Sequence, residues 1–166
     1  EINIDKVHFD KIHYVKKLNG KLKIKNNNVV DANILAFYND AKNISFTIRT
    51  TDQGNKITTI FSSLAKPLVS RYKFINGFKD DKDGFLDFYS SKKNGVSTSK
   101  LIIDNFKVKE IPVLAKLLAL ASLQGIADLL TGEGIRFTDF EMNFTNENKV
   151  MRIQELYAIG PAISIL

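Results

Sequence analysis

Cysteine is absent from this 166-residue chain. Disulfides and thiolate chemistry are therefore excluded, and the redox compartment stays open. Proline and glycine are sparse, at 3 and 9, and no low-complexity tract occurs. A disordered segment would be richer in both and poorer in apolar residues, so the composition is that of a folded globular chain. Only two histidines are present, His8 and His13. Zinc needs three or four ligands in a suitable geometry, and two imidazoles on a strand-like stretch do not supply them. Arginine is confined to Arg49, Arg71, Arg136 and Arg152, a thin supply for a nucleic-acid surface, which interleaves arginines with exposed aromatics. No nucleic-acid partner is expected.

Catalytic patterns are missing as well. No G-x-S-x-G nucleophile elbow occurs. Gly132-Glu133-Gly134 follows an apolar helical stretch rather than preceding a helix, which is the wrong order for phosphate at a helix N-terminus. The Asp80-Asp81-Lys82-Asp83-Gly84 run places Lys79 and Ser90 at the first and twelfth positions of a calcium loop, where oxygen ligands with charge are required; it reads as a turn leading into Phe85. The carboxylates Glu110, Asp128, Glu133, Asp139 and Glu141 are scattered and form no recognisable pair. The expectation is a protein that is not an enzyme and uses no cofactor or metal.

The chain does carry a surplus of positive charge, +6, concentrated early. Lys21, Lys23 and Lys25 alternate with Leu22 and Ile24, as on the wet face of a half-buried strand. Weak attraction to anionic lipid headgroups is a second reading of the same lysines. Period-two alternation dominates elsewhere, at Ile44/Phe46/Ile48, Ile57/Thr59, 85–89, 97–108, 135–144 and 150–159. Turn-prone clusters at Asn19-Gly20, Asn26-Asn27-Asn28, Asn39-Asp40 and Asp52-Gln53-Gly54-Asn55 separate the early runs. With no crossover helices between them, the strands form an antiparallel meander.

Two segments break the rhythm. Ser62 or Ser63 can cap a short helix over 64–72, with Pro67 in its first turn. The second runs over 112–131: Pro112 suits the first helical position, Leu114, Leu117, Leu118 and Ala121 share one face, Gly125 bends the run, and Gly132 caps it. Lys116, Gln124 and Asp128 interrupt it, so it is not a bilayer span, which needs about 20 mostly apolar residues.

The order Phe106-Lys107-Val108, Ile111-Pro112, Leu117-Leu118-Ala119-Leu120-Ala121-Ser122-Leu123-Gln124-Gly125-Ile126, Leu129-Leu130-Thr131-Gly132-Glu133-Gly134-Ile135-Arg136-Phe137 and Gly160-Pro161-Ala162 resembles the AsmA-like C-terminal region of the YhdP-type branch of the AsmA/TamB superfamily. The resemblance is densest from Phe106 onward; residues 1–56 share only strand style, and Ala162-Ile163 stands where the family has a Gly soon after Gly-Pro. It implies a single fragment, 1–166, of a longer periplasmic protein anchored in the inner membrane of a Gram-negative bacterium through a segment outside this chain. Both ends read as cut from something longer. The implied fold is mainly β (α+β): a curved antiparallel sheet forming a groove or taco-like layer, covered by the short helix and the broken apolar helical hairpin. The implied work is phospholipid transport between the two membranes, with acyl chains and neighbouring strands of the same longer chain as partners. Candidate lining residues are Phe46, Ile48, Leu101, Ile103, Phe137, Met142 and Phe144, with Leu114, Leu117 and Leu118 as cover. The same residues could instead form a closed core. A structural or assembly module for outer-membrane biogenesis, acting through protein contacts, is the alternative function.

Overall fold

The computed structural model describes residues 1–69, 84–108, 135–160 and 163–165. The expected helix over 112–131, its residues Leu114, Leu117 and Leu118, the turn at Asp80 to Asp83 and Pro161-Ala162 lie outside the described residues. What is described is mainly β: one open, curled antiparallel sheet with almost no helix. Its strands are β1 (Ile2–His8), β2 (Tyr14–Lys25), β3 (Asn28–Phe37), β4 (Asn43–Thr50), β5 (Lys56–Ser62), β6 (Phe85–Lys93), β7 (Val96–Val108), β8 (Ile135–Glu147), β9 (Val150–Gly160) and the short β10 (Ile163–Ile165). They pair strictly in sequence order, each neighbour antiparallel to the last. The helical element is α1 (Lys66–Val69).

The turns follow from local chemistry. Asn26 and Asn27, Asn94 and Gly95, and Asn148 and Lys149 all have positive φ, the signature of two-residue turns whose twist matches the flanking strands. On the other edge of the sheet, single side chains tie the loops. Asp10 Oδ1 accepts from the amides of Ile12 and His13, both at 2.7 Å, and Oδ2 meets His13 Nδ1 at 2.7 Å; these bonds hold the Asp10 carboxyl well below the usual carboxylate range. Asn39 Oδ1 accepts from Ala41 N at 3.0 Å and Lys42 N at 2.9 Å, an Asx turn that joins β3 to β4.

Two expectations are corrected. Asn19-Gly20 is no turn: β2 runs through it. Gly20 sits opposite Ile34, where an added Cβ would overlap the Asn33 carbonyl oxygen and approach Ile34 Cα at 2.9 Å, so the glycine serves close strand approach. Ser62 is not a helix cap either. It ends β5, and its Oγ donates to the Leu64 carbonyl at 2.6 Å. The described helix begins only at Lys66, with Pro67 in its first turn.

The buried cluster gathers Leu86, Leu101, Ile103, Phe106, Val108, Phe137, Phe140, Met142, Phe144 and Ala158 from β6 to β9, with Ala65 and Val69 from α1 and the residue before it. One irregularity preserves it. Along β7 the buried positions run Leu101, Ile103, then Phe106 and Val108; along β8 they run Met142, Phe140, then Phe137. Both strands skip a residue at the same level, beside Asn105 with φ 52°, while Asp104/Asp139 and Phe106/Phe137 keep one register. The sheet bends there without losing its apolar face.

Candidate functional site

Cross-strand partners in an antiparallel sheet share a face, so the pairings assemble rungs. One rung joins Ile34 of β3, Phe46, Ile60, Phe88, Leu101, Met142 and Leu156 of β9, each directly opposite the next. Every member is apolar. At about 4.8 Å per strand the rung runs for roughly 30 Å, across the strands rather than along them. Its exposure varies along its length: Leu101 and Met142 are buried, whereas Ile34, Phe46, Ile60, Phe88 and Leu156 are half-buried.

The rung on one side is also largely apolar: Ala36, Ile44, Ser62, Leu86, Ile103, Phe140 and Ala158. Ser62 is its polar member, and its hydroxyl is fully used, donating to Leu64 O and meeting Tyr38 Oη at 2.9 Å. The rung on the other side is mixed: Ala32, Ile48, Thr58, Ser90, Ser99, Phe144 and Ile153. Ser99 donates to Ser90 at 2.9 Å. The next step toward the hairpin tips holds Thr50, Lys56, Lys92, Ser97 and Asn146. The face therefore grades from apolar, through hydroxyl, to cationic as it nears that edge.

The opposite face is mixed, its apolar Leu35, Phe61, Ile102 and Tyr157 alternating along one rung with Ser45, Asp87 and Glu141. Thr47 and Thr59 join their hydroxyls, and Lys100 Nζ meets Glu141 Oε1 at 2.7 Å, a bond that lowers the Glu141 carboxyl, helped by Asn143. Asn143 also reaches Glu155 at 3.0 Å. The carboxylates are less scattered than their spacing suggests, because Asp104 lies directly opposite Asp139. Burial first, then the charges of Asp139 and Asp87, push the Asp104 carboxyl up. Among the described residues no group of three or more metal-ligating side chains occurs, and no helix is long and apolar enough to cross a membrane.

Of the candidate lining residues, Phe46, Ile48, Leu101, Ile103, Met142 and Phe144 belong to these three rungs, and Phe137 continues the face past the bend, stacked against Phe106. Sequence reading missed Ile60, Leu86, Phe88, Phe106 and Phe140, which are equal members. Phe140 and Leu86 carried a usable signal, two residues from Met142 and from Phe88 along their strands; Phe106 did not, because the parity changes at Asn105. No family model matches the chain, and no curated protein or solved structure matches it.

Proposed function

We propose that the chain is a segment of a non-enzymatic lipid conduit, in which acyl chains lie along the apolar face and cross from strand to strand. The observation that carries this reading is the unbroken rung from Ile34 to Leu156. An acyl chain of about 16 carbons left in water costs on the order of 12 kcal/mol. A continuous apolar track removes most of that barrier with no covalent step, and the half-buried side chains of Phe46, Ile60 and Phe88 leave apolar surface for it to meet. The run over 112–131, through Leu114, Leu117 and Leu118, would then act as cover. The AsmA-like resemblance fits this reading and extends it: phospholipid as cargo, the periplasm as location, and a longer inner-membrane-anchored chain whose further strands continue the track.

The test is site-specific photo-crosslinking in cells. Probes at Phe46 and Phe144 are expected to yield lipid adducts by mass spectrometry, and a probe at Thr59, on the opposite face, none. Protein-only adducts at both inner positions would make this face a closed core and remove the conduit. The alternative, a structural module acting through protein contacts, draws on β1, which pairs with β2 alone among the described residues and leaves one edge able to accept a further strand.

A further inference from the structure

The turns β2–β3, β4–β5, β6–β7 and β8–β9 lie along one edge of the sheet. Each carries two basic side chains at or beside its tip. The first has Lys23 and Lys25, the second Arg49 and Lys56. The third has Lys92 and Lys93, the fourth Lys149 and Arg152. Against these stand three acids, Asp31, Asp52 and Glu147. The edge thus holds a surplus of five positive charges, beside a net +6 for the whole chain. Adjacent tips are about 10 Å apart, so the row extends for roughly 30 Å.

Among the described residues none of these cations forms a close ion pair with a carboxylate, although Asp31 lies directly opposite both Lys23 and Arg49. Lys56 and Lys92 even face each other directly across β5 and β6, a placement that like charges disfavour. Apolar side chains stand among them at the same edge: Ile24 is 60% exposed, Val150 55% and Ile153 54%. The described loops of the opposite edge hold Asp10 beside Lys11, Asp40 beside Lys42, and Lys66 in the stretch after β5.

We infer that this row of tips docks on the surface of an anionic lipid bilayer, the cations meeting headgroups while Ile24, Val150 and Ile153 enter the interface. Nucleic acid would satisfy the charge but not the exposed aliphatic side chains, and the row offers two arginines and no aromatic to stack on bases. An acidic protein would need a matching relief of its own. A bilayer surface is flat, anionic and receptive to single aliphatic side chains, which suits a row of separate tips. The gradient of the apolar face agrees, because its cationic rung lies at this edge and its greasy rungs farther in. The inference does not depend on lipid travelling along that face.

Flotation of the 166-residue chain with vesicles tests it, using neutral phosphatidylcholine alone and the same lipid with about one third phosphatidylserine. The chain is expected to float with the anionic vesicles only and to release as salt shortens the screening length. Each lysine close to such a surface changes partitioning about fivefold, so K56Q/K92Q/K93Q is expected to weaken binding roughly a hundredfold. I24N/V150N is expected to weaken it at every salt concentration, and K11Q/K42Q on the other edge to leave it unchanged. Equal flotation with neutral vesicles, equal loss from K11Q/K42Q, or binding to duplex DNA as tight as to the anionic vesicles would overturn the proposal. Circular dichroism checks that each variant keeps its sheet; should K56Q/K92Q/K93Q fail to fold, K149Q/R152Q carries the same test at the last tip. Lipid adducts at Phe46 without flotation would sink this inference and leave the conduit standing; flotation without adducts would do the reverse.

Discussion

Phe106 and Phe137 are direct cross-strand partners whose rings stack at 5.3 Å between centroids and 17° between planes. Phe140 meets the same Phe106 ring edge-on, at 6.1 Å and 87°. The three aromatics fill the bend where β7 and β8 change parity together, and Phe137 is 2% exposed. Truncation there leaves a cavity that a sheet held by ladder bonds on both sides cannot close. Phe137→Ala is expected to destabilise by about 3–5 kcal/mol, and Phe137→Leu by about 1–2 kcal/mol. Urea midpoints measure both, and a loss below 1 kcal/mol for the alanine variant would mean the bend is not packed as described.

Gly20 supports a different prediction. It faces Ile34 on the neighbouring strand, and any Cβ would run into the Asn33 carbonyl. Gly20→Ala is expected to destabilise by about 2 kcal/mol, although alanine would be the better strand residue on propensity alone. An unchanged or raised urea midpoint would show that β2 and β3 can separate locally at little cost.

The same position shows where sequence reasoning stops. Asn-Gly is the strongest short hairpin signal, and nothing local separates Asn19-Gly20, inside a strand, from Asn94-Gly95, at a turn. What separates them is β3, whose backbone comes too close for a side chain. The meander itself was legible, because alternation at Ile44/Phe46/Ile48 or along 97–103 needs no tertiary information. The parity change at Asn105 was not, since it needs β7 and β8 to skip a residue together. The candidate face was readable strand by strand, through Phe46, Leu101 and Met142. That these align on one rung with Ile60, Phe88 and Leu156 was not, because register is fixed by turn geometry summed over successive hairpins.

Lys149 sits in the left-handed region at φ 65°, after Asn148 at φ 50°. The equivalent turn between β6 and β7 has Gly95 in the second place, at φ 83°. A side chain with a Cβ pays about 1 kcal/mol for that backbone, so Lys149→Gly is expected to raise stability by about 1 kcal/mol at neutral pH. Gly95→Lys is expected to lower it by a similar amount. Thermal unfolding of both variants checks the pair, and a lower midpoint for Lys149→Gly would refute the turn assignment.

Tyr38, itself half-buried, closes a hydroxyl chain on the buried Ser62. The Ser62 proton is committed to the Leu64 carbonyl at 2.6 Å, so at 2.9 Å the phenol is the donor to Ser62 Oγ. Burial pushes the Tyr38 phenol up. Because the folded value lies above the unfolded one, near 10, the fold favours the protonated phenol. Its contribution is complete below about pH 10 and is lost as pH rises through the unfolded and then the folded value. Tyr38→Phe is expected to lower stability by about 1 kcal/mol at pH 7. Above about pH 10 the native chain should lose stability more steeply than the variant, so their urea midpoints converge. Parallel midpoints from pH 7 to pH 11 would show that Tyr38 ionises as freely in the fold as outside it, and that the Ser62 bond places no constraint on the phenol.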